Sequence, residues 1–192
     1  VAAVNNDVEL EDAVDLVVRL SQRVLIEPKV VNLKEINCSV LGDRDLAEVS
    51  VCEEPISSEL ILSYQDKYAG GLKGKSGIKT VGGMSDAKRK IPAEISKEMN
   101  DKIQDIAKQA FVDLNCNGVV RVDFLIDKDT DEIYLCELNT IPGSLAFYLW
   151  EPLGKDFTTL TERLIELALK RYREINNLVV SYADNVLKDW GR

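Results

Sequence analysis

The chain contains no histidine at any of its 192 positions. Imidazole acid/base catalysis, Ser-His-Asp triads and His-ligated zinc are thereby excluded within it. Its four cysteines, Cys38, Cys52, Cys116 and Cys136, show no C-x-x-C spacing. Three of them lie in strand-like runs, where buried reduced thiols are expected, and a reducing, cytoplasmic compartment follows. Positive charge is also scarce. A net charge of −9 argues against nucleic acid or an anionic membrane as partner, which a basic surface would serve. No apolar run approaches the ~20 residues of a membrane span, and no signal-peptide pattern opens the sequence.

What is present is ordinary in bulk and specific in detail. Hydrophobic residues make up 45% and charged residues 30%, enough for one soluble domain with a substantial core. Between Val119 and Gly143 the sequence reads VVRVDFLIDKDTDEIYLCELNTIPG, two strands joined by a polar turn. Arg121 and Asp123 are two apart in the first strand, and Glu137 and Asn139 are two apart in the second. Side chains alternate between the faces of a strand. The intervening Val120, Val122, Phe124 and Ile126, with Tyr134, Cys136 and Leu138, are therefore expected to form a core face. The other face gathers a cation, two carboxylates and an amide. These groups could pair as ions on a solvated surface. They also supply what a hard cation such as Mg²⁺ needs when it holds phosphates as well. The Pro142-Gly143 turn that follows leaves backbone N–H groups free to hold an oxyanion.

Elsewhere the patterns predict an α+β fold, a mainly antiparallel sheet with packed helices. Leu10, Val14, Val17 and Val18 mark a helix over 8–20. Arg23 to Glu27 reads as a short strand, as do Glu35 to Leu41 and Leu46 to Cys52 around the turn Gly42-Asp43-Arg44. Pro92 suits a helix start, Ile95 to Leu114 a long amphipathic helix, and Phe157 to Arg173 another. Asn176 and Asn177 break the latter, and Leu178 to Trp190 is read as a last helix. From Glu53 to Lys90 the pattern is lost. Six of the eleven glycines fall here, with five lysines between Lys67 and Lys88. This stretch is either a surface loop or a lid over phosphates. Its Gly74-Lys75-Ser76 is no P-loop, because Ala69 stands where that motif needs glycine.

Together, Arg121-Val122-Asp123-Phe124 and Glu137-Leu138-Asn139-Thr140-Ile141-Pro142-Gly143 resemble the C-terminal half of the ATP-grasp ligases, most closely the D-alanine–D-alanine ligase family. The resemblance runs from Val1 to about Arg173 and implies an ATP-grasp C-terminal subdomain over 1–192, with the family's N-terminal and central parts absent. It also implies a mobile ω-loop at about 53–90 and C-terminal helices at about 156–190. By that resemblance Glu27, in Val24-Leu25-Ile26-Glu27, meets the adenine and Glu35 binds ribose. The segment Tyr64-Gln65-Asp66-Lys67-Tyr68 is similar to the family's ω-loop, which places Lys67 and Tyr68 at the ATP phosphates. Asp123, Glu137 and Asn139 would ligate Mg²⁺ (or Mn²⁺), and Arg121 with the Gly143 N–H would stabilise the acyl phosphate and the tetrahedral intermediate. The implied reaction joins two D-alanines for peptidoglycan, with a homodimer as the full-length form and this fragment inactive alone. The chain departs from the family pattern after Pro142-Gly143. In Ser144-Leu145-Ala146-Phe147-Tyr148 the place of a usual substrate-holding serine is taken by Tyr148 or shifted. A ligase for another carboxylate–amine pair, or a non-catalytic nucleotide-binding module, are the alternatives.

Overall fold

The computed structural model describes residues 2–56 and 89–178. The expected ω-loop with Lys67 and Tyr68, the glycine-rich stretch and nearly all of the expected last helix lie outside these residues. The described elements alternate between helix and strand as an α+β chain. Helix α1 spans Asp7–Val17, then come β1 (Leu33–Gly42), β2 (Ala47–Val49), β3 (Glu54–Pro55) and β4 (Arg89–Lys90). Helix α2 (Lys97–Asp113) leads to the hairpin strands β5 (Gly118–Asp127) and β6 (Ile133–Asn139). Two 3₁₀ segments, Gly143–Leu149 and Glu151–Leu153, precede α3 (Phe157–Asn176). One sheet has the order β2-β1-β5-β6, and β3 and β4 pair antiparallel in a second.

Each helix starts where a short polar side chain takes an otherwise unpaired N–H. Asn6 Oδ1 accepts from the Glu9 N–H, Ser96 Oγ from the Met99 N–H, and Asp156 Oδ1 from the Thr159 N–H. Ser96 explains why α2 begins at Lys97 rather than beside Pro92, whose preceding peptide bond is cis. In α2 the residues Ile103, Ala107 and Phe111 recur every fourth position and are buried, while α3 buries Leu160 and Leu167.

The chain divides into two compact units. The first takes Val1–Asn37, Glu53–Glu94 and Asp123–Glu137. Its buried apolar side chains among the described residues are Ile36, Phe124 and Ile126. Arg23 to Glu27 does not form the expected strand here. Among the described residues it makes no ladder, and Leu25 (82%) and Ile26 (62%) stand exposed. A β-prone sequence without a bonding neighbour has no reason to become a strand.

The second unit takes Cys38–Cys52, Ile95–Val122 and Leu138–Arg192, and it holds the larger core. Here β1 hairpins into β2 with Val40 opposite Val49 and Gly42 opposite Ala47. Gly42 has φ +147°, and a Cβ there would lie 2.0 Å from the Leu46 carbonyl oxygen. Only glycine fits this turn. Asp43 closes it, its Oδ1 accepting from the N–H groups of Asp45 (3.0 Å) and Leu46 (2.9 Å). The strand expected over Leu46 to Cys52 is shortened to Ala47–Val49. At Ser50 the Ser39 N–H finds a side-chain oxygen instead of a backbone carbonyl, at 2.8 Å. Ser39 Oγ in turn donates to the Val120 carbonyl and accepts from Trp150 Nε1, tying a buried tryptophan to β1 and β5.

Candidate functional site

Glu27, Glu35, Asp123 and Glu137 fall in the first unit. Strand β1 carries Glu35, half-buried, and β5 carries Asp123 at 4% exposure. Glu137 lies exposed on β6, and Glu27 is exposed in the segment before β1. One side chain feels the charge of all four. The Cys136 thiol is pushed up, first by partial burial and then by the charges of Glu137, Asp123, Glu27 and Glu35. A thiol so raised is a poor nucleophile at neutral pH. Four carboxylates acting on one point raise the local potential against anions, and a cation relieves it.

Among the described residues no three His, Cys, Asp or Glu side chains are grouped so as to hold a metal ion. Of the residues expected to hold a metal, Asp123 and Glu137 lie in the first unit and Asn139 in the second. Two carboxylates and an amide are donors of the type that a hard cation such as Mg²⁺ takes. Asn139 Oδ1 accepts from the Ile141 N–H at 3.1 Å, which fixes the amide and leaves the oxygen a second lone pair.

In the second unit Arg121 is 7% exposed in β5. A guanidinium buried to that degree is engaged by its neighbours, as is the carboxylate of Asp123. Asn139, Gly143 and Tyr148 belong to this unit too. Gly143 opens a 3₁₀ segment in which Ser144, Leu145 and Ala146 all have left-handed backbone, with φ of 52°, 55° and 51°. Three such residues in a row, none of them glycine, are a strained run of the kind found at functional sites. Tyr148 is half-buried and packs edge-on to Phe147 at 6.2 Å.

Two expectations fail on β6. Tyr134 is 43% exposed and Cys136 exposed, so its apolar parity is no core face in the way that Val120, Val122, Phe124 and Ile126 are on β5. Among the described residues the strand stands at the edge of the sheet, with a neighbour on one side only. The same exposure corrects the reading of Cys136 as a buried thiol, and Cys116 is half-buried and outside any strand, whereas Cys38 and Cys52 are buried as expected.

The sequence reading also passed over residues beside Glu35. Asn37 Nδ2 donates to Glu35 Oε1 (3.5 Å) and to Glu53 Oε1 (3.3 Å), and Arg89 donates to Glu53 Oε2 at 3.2 Å. The signal for Asn37 was the same two-residue spacing that exposed the hairpin cluster. Nothing in the sequence tied Glu53 or Arg89 to it. A cavity of about 290 Å³ in the second unit lies elsewhere, lined by Asp43, Asp45, Cys116, Lys170 and Glu174 among others. Lys170 fills it with ion pairs to Asp43 and Asp45, both at 2.8 Å, and none of the expected site residues line it.

Known proteins resemble this chain in sequence and fold. The family model described as D-ala D-ala ligase C-terminus matches residues 1–166. A D-alanine–D-alanine ligase of Thermosipho melanesiensis is 37% identical over 178 residues, covering 93% of this chain and 44% of the relative. The solved D-alanine-D-alanine ligase of Coxiella burnetii superposes with a TM-score of 0.68 at 26% identity, over 91% of this chain and 42% of its own. The VanG D-Ala:D-Ser ligase of Enterococcus faecalis gives 0.64 at 27%, over 84% and 43%. The chain thus spans less than half the length of these relatives. Among its described residues no helix is long and apolar enough to cross a membrane.

Proposed function

The chain belongs to the D-ala D-ala ligase C-terminus family, and on that premise we propose that it is the nucleotide- and metal-holding part of an ATP-dependent ligase joining two D-alanines. The observation that carries the reading is the match of that family model to residues 1–166, with Glu27, Glu35, Asp123 and Glu137, which the family resemblance assigns to adenine, ribose and metal, all in one compact unit. The carboxylate of one D-alanine attacks the γ-phosphorus of ATP, giving an acyl phosphate and ADP. The amine of the second attacks the carbonyl carbon, phosphate leaves, and the amine gives up a proton as the peptide bond forms. No imidazole is required, in keeping with a chain that has none.

Each residue has a physical task in this reading. Glu27 and Glu35 accept hydrogen bonds from the adenine and the ribose. Asp123, Glu137 and Asn139 hold Mg²⁺, which when bound offsets charge on the phosphates. Arg121, kept in place by burial, presents a fixed cation to the acyl phosphate. The Gly143 N–H aims at the developing oxyanion. Lys67 and Tyr68 complete the phosphate contacts. We read the complete enzyme as a cytoplasmic homodimer serving peptidoglycan synthesis, a point that light scattering of the full-length protein checks.

The test is D-alanine-dependent phosphate release from ATP by the full-length ligase. Asp123→Asn and Glu137→Gln should each lower kcat by about a hundredfold or more, since each removes a metal-bound charge from the phosphoryl-transfer step. An unchanged rate in either variant overturns the metal assignment. A second reading, a ligase for a different amino-acid pair, is favoured by the aromatic pair Phe147 and Tyr148 where a substrate-holding serine is usual. Screening amino-acid pairs for ADP formation separates the two, and a strong preference for D-alanine in both positions removes the second.

A further inference from the structure

Glu35 and Asn37 stand two apart on β1 and therefore share a face of the strand. Asn37 is 3% exposed, and its backbone is clamped to Glu53 by a reciprocal pair of bonds, 3.0 Å from the Asn37 N–H and 2.8 Å back from the Glu53 N–H. Its side-chain NH₂ has two protons and meets two carboxylates, Glu53 at 3.3 Å and Glu35 at 3.5 Å. The second oxygen of Glu53 is held by Arg89, whose strand β4 pairs Arg89 opposite Pro55. A line of polar contacts thus runs Arg89–Glu53–Asn37–Glu35, inside one unit.

The acceptor end of the same amide is informative. Asn37 Oδ1 is buried with no hydrogen-bond partner among the described residues. An unpaired buried acceptor costs about 1–3 kcal/mol. Turning the amide over would set Oδ1 against the two carboxylates, so the acceptor end cannot be served from that side. Here the donor end is the one that is served, and what it serves is a pair of carboxylates.

We propose that Asn37 is a positioning residue that holds the Glu35 carboxylate in the orientation needed to accept hydrogen bonds from the nucleotide's ribose, with the Arg89–Glu53 ion pair fixing the amide from behind. The proposal rests on the reading of Glu35 as the ribose ligand. Loss of the amide removes this one restraint on the Glu35 carboxylate, and selection for the ribose hydroxyls weakens while the chemical step is untouched.

The experiment compares ATP with 2′-deoxyATP and 3′-deoxyATP in the full-length ligase carrying Asn37→Leu, Asn37→Ser, Glu35→Gln or the Leu/Gln pair. Asn37→Leu should raise KM for ATP about tenfold with kcat within about twofold, and should bring the preference for ATP over the deoxynucleotides towards that of Glu35→Gln. Asn37→Ser keeps one donor at lower volume and should fall between wild type and Glu35→Gln, so the test does not depend on the leucine variant folding. In the Glu35→Gln background Asn37→Leu should add less than about twofold, because the group it positions has lost its charge. Unchanged sugar discrimination in the Asn37 variants, with Glu35→Gln impaired, overturns the proposal alone. An equal effect of Asn37→Leu in both backgrounds also overturns it. If Glu35→Gln itself leaves discrimination unchanged, the ribose assignment falls and takes the proposal with it.

Discussion

Replacing Gly42 by alanine should unfold this protein far more readily than the same change at Gly154, although both glycines have positive φ. At Gly42 the backbone has φ +147°, and the new Cβ would sit 2.0 Å from the Leu46 carbonyl oxygen and 2.9 Å from the Ala47 Cα. The obstacles are backbone atoms, so no side chain can swing aside. Backbone strain in so sparsely populated a region is about 1–3 kcal/mol, and forced overpacking adds about 1–3 kcal/mol. Relief means opening the turn, which breaks the Asp43 N–H bond to the Leu46 carbonyl (3.1 Å). At Gly154 φ is +75° with nothing within 4 Å of the Cβ. Only the left-handed preference remains there, about 1–2 kcal/mol, partly offset by about 0.4–1 kcal/mol from a less flexible unfolded chain. The difference is read in urea melts followed by circular dichroism. With a slope of about 1–3 kcal/mol per molar urea, Gly42→Ala should lower the midpoint by about 1 M or more. Gly154→Ala should move it by less than half that. Equal shifts at the two positions would refute the clash argument, and with it the role of Gly42 in closing β1 onto β2.

Further outcomes follow from the same structure. Ser144→Gly removes a left-handed non-glycine residue whose side chain is exposed, so it should raise Tm by about 1–3 °C, whereas Ser144→Ala, which keeps the strained backbone, should leave Tm unchanged. Leu167→Ala, at 1% exposure, should cost about 2–5 kcal/mol, while Leu169→Ala, at 52%, should stay within about 0.5 kcal/mol in a chemical melt. The Lys170 ammonium holds the Asp43 carboxyl below the usual carboxylate range, and the same contacts push Lys170 up. Asp43 thus contributes stability above its ordinary pKa of 3.8 that is lost as pH falls through its depressed value. Lys170 contributes below 10.5 and loses it as pH rises beyond. Lys170→Met should flatten both limbs of a Tm-against-pH curve, and a parallel downward shift would count against the ion pair.

The sequence disclosed what has a period. Two-residue alternation located β5 and β6 and put Arg121, Asp123, Glu137 and Asn139 on the page, and helical spacing placed α2 and α3 to within a few residues. Strand pairing has no period. RVLIE has the residues of a strand and lacks a neighbour to bond, and Leu46 to Cys52 is cut short by one serine hydroxyl that no propensity weighs. Burial on β6 failed for a related reason, because alternation states which face a residue takes and not whether anything covers that face. The Asn37 relay stayed hidden because Glu53 and Arg89 meet it from positions 16 and 52 residues further along the chain.

The placing of charge follows a consistent logic. Glu53 is 3% exposed and Arg89 pairs with it, Lys34 pairs with Glu54 at 3.1 Å, and Asp43 is matched by Lys170. Each of these carboxylates has its cation within the same unit, as buried or half-buried charges require. The four whose charges act on Cys136 share the first unit, with Glu27 and Glu137 exposed, Glu35 half-buried and Asp123 buried. Mutual repulsion of that sort destabilises a fold unless something positive is brought to it. In a metal–nucleotide complex the metal ion presents positive charge, and the nucleoside presents hydroxyl and amine donors. That match is the physical reason for proposing the cluster as a binding site rather than surface charge.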